Sequence, residues 1–168
     1  TALGTLIAAI DPQPDDTLVV LGDVIDYGPD TKGVIQQLIE LSRCCRLILL
    51  TGNHEEKMFR SFVSPSELNS WLYSGGEDTL KCYTGRDENE LIDPGHFDFL
   101  KRECRDYHET DEFIFVHANY FPNLRMEQQS SRTLRWEFVE PERMGPHYSG
   151  KTVIAGHTPQ VSGEILDL

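Results

Sequence analysis

Thr17-Leu18-Val19-Val20-Leu21-Gly22-Asp23-Val24-Ile25-Asp26-Tyr27-Gly28 begins as an apolar run and ends as a glycine-bounded turn carrying two carboxylates. The run predicts a buried strand over 17–21, which sets Asp23 and Asp26 on the loop just beyond its end. Three further segments repeat the arrangement. Gly52-Asn53-His54-Glu55 follows the apolar run 47–50, Val116-His117-Ala118 closes the run 113–116, and Gly156-His157-Thr158-Pro159 follows 152–155. Loops beyond strand ends are where open α/β sheets assemble their active sites. Asp23, Asn53, His117 and His157 offer one carboxylate, one amide oxygen and two imidazoles, a mixed set suited to a borderline divalent metal. A metal-dependent phosphoester hydrolase is the function these residues suggest.

Between these segments the pattern alternates between helix and strand. Residues 3–10 predict the tail of a helix closed by Asp11-Pro12-Gln13-Pro14. Pro29-Asp30 opens a second helix, whose Val34, Ile35, Leu38, Ile39 and Leu41 form an apolar stripe at helical spacing before the strand 47–50. Residues 55–60 continue as helix, Pro65-Ser66-Glu67 starts another, and Gly75-Gly76 separates it from a short third. Helix is predicted over 95–104, strands over 107–110 and 113–116, an irregular then helical stretch over 126–139, loop over 141–150, and a last strand over 152–155. The chain reads as one domain over residues 1–168, with 39% hydrophobic residues to build a core.

A formal charge of -13 argues against a nucleic-acid polymer as partner, since such binding depends on basic patches that release counterions. It does not argue against a phosphate substrate, because bound divalent ions reverse the field locally. Cys44, Cys45, Cys82 and Cys104 show neither a C-x-x-C pair nor finger spacing with the histidines, so ordinary thiols in a reducing cytoplasm are expected. No apolar stretch is long enough for a membrane span, and an acidic monomer is the expected state.

The four segments together resemble the calcineurin-like metallophosphoesterases, and within them the serine/threonine phosphoprotein phosphatase branch. That signature runs D-x-H, G-D-x-x-D-R-G, G-N-H-E and two later histidines. Gly22, Asp23, Asp26 and Gly28 match the second block, 52–55 match the third completely, and His117 and His157 match the last two. The small phosphatases of bacteria and of bacteriophage lambda look nearest. The resemblance implies a four-layer α/β/β/α sandwich, incomplete at both ends: the D-x-H block is absent, and the chain stops at Leu168 where a further strand would begin.

It also implies roles. Two divalent ions, manganese, iron or zinc, would sit roughly 3.5 to 4 Å apart and share a carboxylate. Asp23 has the bridging position, and Asn53, His117 and His157 complete the second ion's shell. The family's attack is direct, by a metal-bound hydroxide, without a phosphoenzyme. His54 corresponds to the general acid, oriented by Asp26. The family's phosphate-clamping arginines are replaced by Tyr27 and, after Trp136, by Phe138. Tyr27 and Arg135 are the substrate-binding candidates here, with Arg132 and Arg143 close by in sequence.

Other residues are given structural roles: Glu55 as a backbone acceptor or helix cap, His96 and His108 at the surface or a helix end, Trp71 and Trp136 in the core or a cleft wall. His147 could face the site from its loop. Three functions stay open. The first is a phosphatase acting on phosphoproteins or small phosphoesters, the second a dinucleoside tetraphosphate hydrolase, and the third an inactive phosphate-binding or interaction module.

Overall fold

The computed structural model describes residues 1–83 and 91–168. Helix α1 (Ala2–Ile10) leads to strand β1 (Thr17–Val20), helix α2 (Thr31–Cys44), strand β2 (Arg46–Leu50) and helix α3 (Asn53–Ser61). Helices α4 (Pro65–Trp71) and α5 (Glu77–Lys81) flank an irregular turn at Leu72–Gly76, and α6 (Pro94–Glu103) follows. Strands β3 (Cys104–Arg105), β4 (Tyr107–Glu109) and β5 (Phe113–Val116) come next, then helix α7 (Ser131–Trp136) and strand β6 (Thr152–Ala155).

Local chemistry sets the helix starts. Asp30 caps α2 by accepting from the Gly33 amide at 2.9 Å, and Ser64 and Asp93 cap α4 and α6, each followed by a proline at the first helical position. Ile35, Leu38 and Leu41 of α2 fall on one buried face, as their spacing requires.

The strands form two three-stranded sheets, and with the helices they make a mixed α/β fold. In the first, β1, β2 and β3 run parallel, with Thr17 opposite Arg46 and Leu49 opposite Cys104. In the second, β5 is central: β4 pairs with it antiparallel, Tyr107 opposite Val116, and β6 pairs parallel, Phe113 opposite Thr152. The larger core packs α2, α4 and α6 on the first sheet through Ile35, Leu38, Leu49, Trp71 and Leu100. A smaller one joins Ile114 and Val116 to Met126 and Leu134. Each such side chain contributes on the order of 1.5–3 kcal/mol when fully buried.

The structure revises three boundaries. Strand β1 stops at Val20 because the Leu21 carbonyl leaves the ladder to accept from the His117 ring at 2.6 Å. Cys104 leaves the expected helix and joins β3, a strand of two residues that is too short to show any alternation. Pro141–Arg143 forms one 3₁₀ turn inside the expected loop.

The parallel strands β1 and β2 and the parallel pair β5 and β6 all end toward one place. There the Gly156 amide donates to the His117 carbonyl at 2.9 Å, and the Thr51 amide donates to the Arg105 carbonyl at 2.8 Å. The first bond ties the loops after β5 and β6, and the second ties the end of β2 to β3.

Candidate metal centre

Asp23 lies on the loop after β1. A Cβ on Gly22 would stand 2.7 Å from the Gly52 amide nitrogen and 2.8 Å from His117 Nδ1, and Gly22 has φ 98°. Glycine is therefore required there for the two loops and the imidazole to meet. Of the five non-glycine residues with positive φ among the described residues, four belong to this place: Asp23, Asp26, Tyr27 and His157. Left-handed backbone at such residues costs on the order of 1–3 kcal/mol each and persists only where the surroundings enforce it.

Much of that enforcement comes from Glu55 in the first turn of α3. Its buried carboxylate accepts from the amides of Asp23 at 2.8 Å, Val24 at 2.8 Å and Gly52 at 2.9 Å, so one side chain fixes both loops. Burial and the neighbouring Asp23 charge push the Glu55 carboxyl up to about 7, against the three amides that favour its charged form.

The His54 amide donates to Asp23 Oδ1 at 3.3 Å, while Asp23 Oδ2 lies 3.4 Å from His117 Nε2. His117 Nε2 is also 3.2 Å from Asn53 Oδ1 and 3.1 Å from His157 Nδ1. The other His117 nitrogen, Nδ1, carries the proton because it donates to the Leu21 carbonyl. That leaves Nε2 as a lone pair aimed at the cluster. Burial holds the His117 pKa below the ordinary value, although the Asp23 charge works the other way. Phe138 covers the His157 ring, centroid to centroid 4.8 Å, and His157 Nε2 is buried without a partner among the described residues.

One ligand atom from each of Asp23, His117 and His157 lies within 4.8 Å of the others, with Asn53 Oδ1 beside them. A carboxylate oxygen, an amide oxygen and two ring nitrogens converge on one point, and this donor set fits a borderline divalent ion. The residues present therefore fit such a metal.

Beside the cluster, His54 Nδ1 is 2.7 Å from Asp26 Oδ2. Burial pulls the His54 pKa down, but the hydrogen bond to Asp26 and the charges of Asp23 and Asp26 outweigh it and leave the pKa above the ordinary histidine value. Two residues with no mark in the sequence hold Asp26. Trp71 Nε1 donates to both carboxylate oxygens at 3.1 and 3.2 Å, and the Thr79 hydroxyl donates to Oδ1 at 2.7 Å while accepting from the Asp26 amide at 2.9 Å. They lie 45 and 53 residues away in sequence. An indole N–H and a hydroxyl on short helices carry no spacing rule that would mark them.

Tyr27 stands 70% exposed at the rim, its ring edge toward His54 at 5.4 Å. Arg135 takes a different place from the one expected of a substrate clamp. Its guanidinium is ion-paired with Asp106 and, at 3.2 Å, with Glu56, so α7 is fastened to α3 and to the segment before β4. Arg132 is a surface residue 4.0 Å from Glu137, and the side chain of Arg143 lies outside those described. His147 does not face the cluster: it is buried, with Nδ1 2.7 Å from the Ser149 hydroxyl and Nε2 2.9 Å from the Leu124 carbonyl. His96 lies at a helix end, in the first turn of α6, and is buried there, with Nδ1 2.8 Å from the Tyr83 hydroxyl. All four cysteines are free thiols, and no helix among the described residues is long and apolar enough to cross a membrane.

This geometry defines a metallophosphoesterase, and the chain belongs to the calcineurin-like phosphoesterase family, whose model matches residues 1–161. Among curated proteins it is similar to a symmetrical bis(5'-nucleosyl)-tetraphosphatase of Nitrosomonas europaea, 28% identical over 113 residues, covering 67% of this chain and 37% of that protein. It is similar too to serine/threonine-protein phosphatase 1 of Salmonella typhimurium, 39% identical over 67 residues, covering 40% of this chain and 28% of that one. A symmetrical bis(5'-nucleosyl)-tetraphosphatase of Acidovorax sp. is 28% identical over 129 residues, 76% of this chain and 42% of its own length. The chain thus spans less than half the length of these relatives.

Proposed function

We propose that this chain is the catalytic core of a metal-dependent phosphoester hydrolase in which Asp23, Asn53, His117 and His157 hold a divalent ion and His54 is the general acid. The observation that carries this reading is the convergence of four lone-pair donors beside an imidazole hydrogen-bonded to a buried carboxylate. Manganese, iron or zinc fits the donor set, and Asp23, with its carboxylate partly exposed, is the residue a second ion would share. Metal ions bound there supply Lewis-acid polarisation of phosphate oxygens and an acidified water.

The protein's own groups account for the rest. His54 gives Nδ1 to Asp26, so Nε2 is the nitrogen free to act on substrate. Hydrolysis breaks the bond between phosphorus and the leaving oxygen and joins a water oxygen to phosphorus; the proton on His54 Nε2 passes to the leaving oxygen, and the proton the water gives up restores His54 through solvent. Asp26 favours the protonated imidazole, which is the form a general acid must present. Tyr27, at the rim beside His54, can offer one hydroxyl to the substrate. Arg135 supports the site by fastening α7 rather than by clamping phosphate.

The substrate is a phosphoprotein or small phosphoester on the first reading. A dinucleoside polyphosphate is the second, and the relatives named as tetraphosphatases, aligned over 67% and 76% of the chain, favour giving it equal standing. The test is hydrolysis of para-nitrophenyl phosphate by the full-length protein with added manganese, compared with its Asn53→Ala variant. Turnover that needs both metal and Asn53 supports the reading, and metal-independent turnover, or none on either this ester or diadenosine tetraphosphate, overturns it.

A further inference from the structure

Beside the centre lies a cavity of about 460 Å³, within the range of small-molecule sites. Phe121, Trp136 and Phe138 supply its rings, Met144 an apolar floor, and Glu137 and Glu140 its acidic edge. Phe138 joins the pocket to the metal cluster. Phe138 lies stacked on His157 at an interplanar angle of 28° yet is 60% exposed, so one ring face covers a candidate ligand while the other is open. A group stacked on that open face sits one ring beyond the metal centre, where the part of a substrate next to the reacting phosphate would lie.

The walls are fixed before anything binds. Asn119 Nδ2 donates to the Phe138 carbonyl at 2.9 Å, and the Asn119 amide is itself tied to Thr133 of α7. Gln129 brackets Phe121 through both its amide nitrogen and its carbonyl, each at 2.9 Å. The Tyr120 hydroxyl donates to the Gly145 carbonyl at 2.8 Å, which holds the far side in place. Preformed aromatic walls bind planar groups at low entropic cost.

The acidic edge selects the kind of planar group. The Glu137 carboxylate on this edge can accept from N–H donors. A purine presents such donors on its edge and two stacking faces, whereas the phenol ring of a tyrosine ester presents no N–H. We propose that this cavity is a nucleobase subsite of the centre, so that the substrate is a nucleoside phosphoester or polyphosphate. This rests on the hydrolase reading above and decides between its two substrate classes.

The test separates the pocket from the chemistry. Trp136 lines the cavity and Trp71 is fully enclosed, so adenosine titrated into the full-length protein should give a saturable fluorescence quench that Trp136→Phe removes. Stacking on aromatic side chains predicts affinity about 5- to 150-fold weaker in Phe121→Ala and Phe138→Ala, checked for folding by circular dichroism. With manganese present, kcat/KM for adenosine 5'-monophosphate should exceed that for ribose 5-phosphate, which carries the same reacting ester without a base, and the ratio should fall toward one in Phe121→Ala. Absence of a saturable quench overturns the proposal, as does tyrosinamide binding as tightly as adenosine, or equal kcat/KM for the two esters. Adenosine binding in a protein that cleaves neither these esters nor diadenosine tetraphosphate supports the subsite while overturning the hydrolase reading.

Discussion

His54 Nδ1 lies 2.7 Å from an Asp26 oxygen, and the Asp26 side chain is fully enclosed while the imidazole keeps 14% of its surface in contact with solvent. The pairing makes the imidazole easier to protonate and leaves its outer nitrogen facing the cleft. Because the folded pKa is raised, the pair stabilises the fold in full below the ordinary histidine value, and that contribution is lost as pH rises through the raised one. Asp26→Asn removes the hydrogen bond to a carboxylate and the Asp26 charge, and leaves burial opposed only by the charges of Asp23 and Glu55. The alkaline limb of the pH–rate profile should therefore move to lower pH, and the His54 ring resonance should titrate lower by NMR; an unchanged titration contradicts the pairing's role.

Trp71 and Thr79 are predicted to act through Asp26. Trp71→Phe removes the one indole N–H shared between the two oxygens of a buried carboxylate and leaves a void where the larger ring packed, so urea unfolding should show a loss of at least about 1.5–3 kcal/mol. Thr79→Val should cost a similar amount. Losses within experimental error for both would mean that Asp26 is not held as described.

Glu55→Gln tests the brace between the loops. A carboxamide has one acceptor oxygen and places an NH₂ against at least one of the three amides that Glu55 satisfies. Stability should fall by about 1–3 kcal/mol, and manganese affinity should fall with it, because Asp23 loses its amide anchor. The pH dependence has a definite sign. With the folded carboxyl raised to about 7, wild type binds more protons folded than unfolded above the ordinary glutamate range, so its metal-free stability declines as pH rises toward 7. The variant should lack that decline in chemical denaturation across this range.

Tyr27→Phe isolates the rim hydroxyl. The ring and its edge-on contact with His54 remain, so kcat should hold while KM rises about 2- to 10-fold, the worth of one hydrogen bond to substrate. A fall in kcat with KM unchanged would instead place the hydroxyl in the transition state.

Much of this architecture was legible in the chain. The apolar runs 17–21, 47–50, 113–116 and 152–155 foretold β1, β2, β5 and β6 within a residue, because buried strands are continuous apolar segments closed by glycine-bearing turns. The same turns marked Asp23, Asn53, His117 and His157, and the structure brings them together. What stayed hidden depends on tertiary proximity. Trp71 and Thr79 reach Asp26 only because α4 and α5 fold back over its loop. Arg135 followed the general affinity of guanidinium for phosphate, but Asp106 and Glu56 meet it first. The cavity at Phe138 joins residues from the segments on either side of α7, which no spacing relates.

The most direct measurement is manganese stoichiometry and affinity in the full-length protein, beside His117→Ala and His54→Ala. The account predicts that His117→Ala weakens binding by at least about 100-fold, beyond what outer-shell changes usually cost, while His54→Ala keeps the metal and loses turnover. A wild-type protein that binds no divalent metal, or a His117→Ala variant that binds it as tightly as wild type, would contradict it.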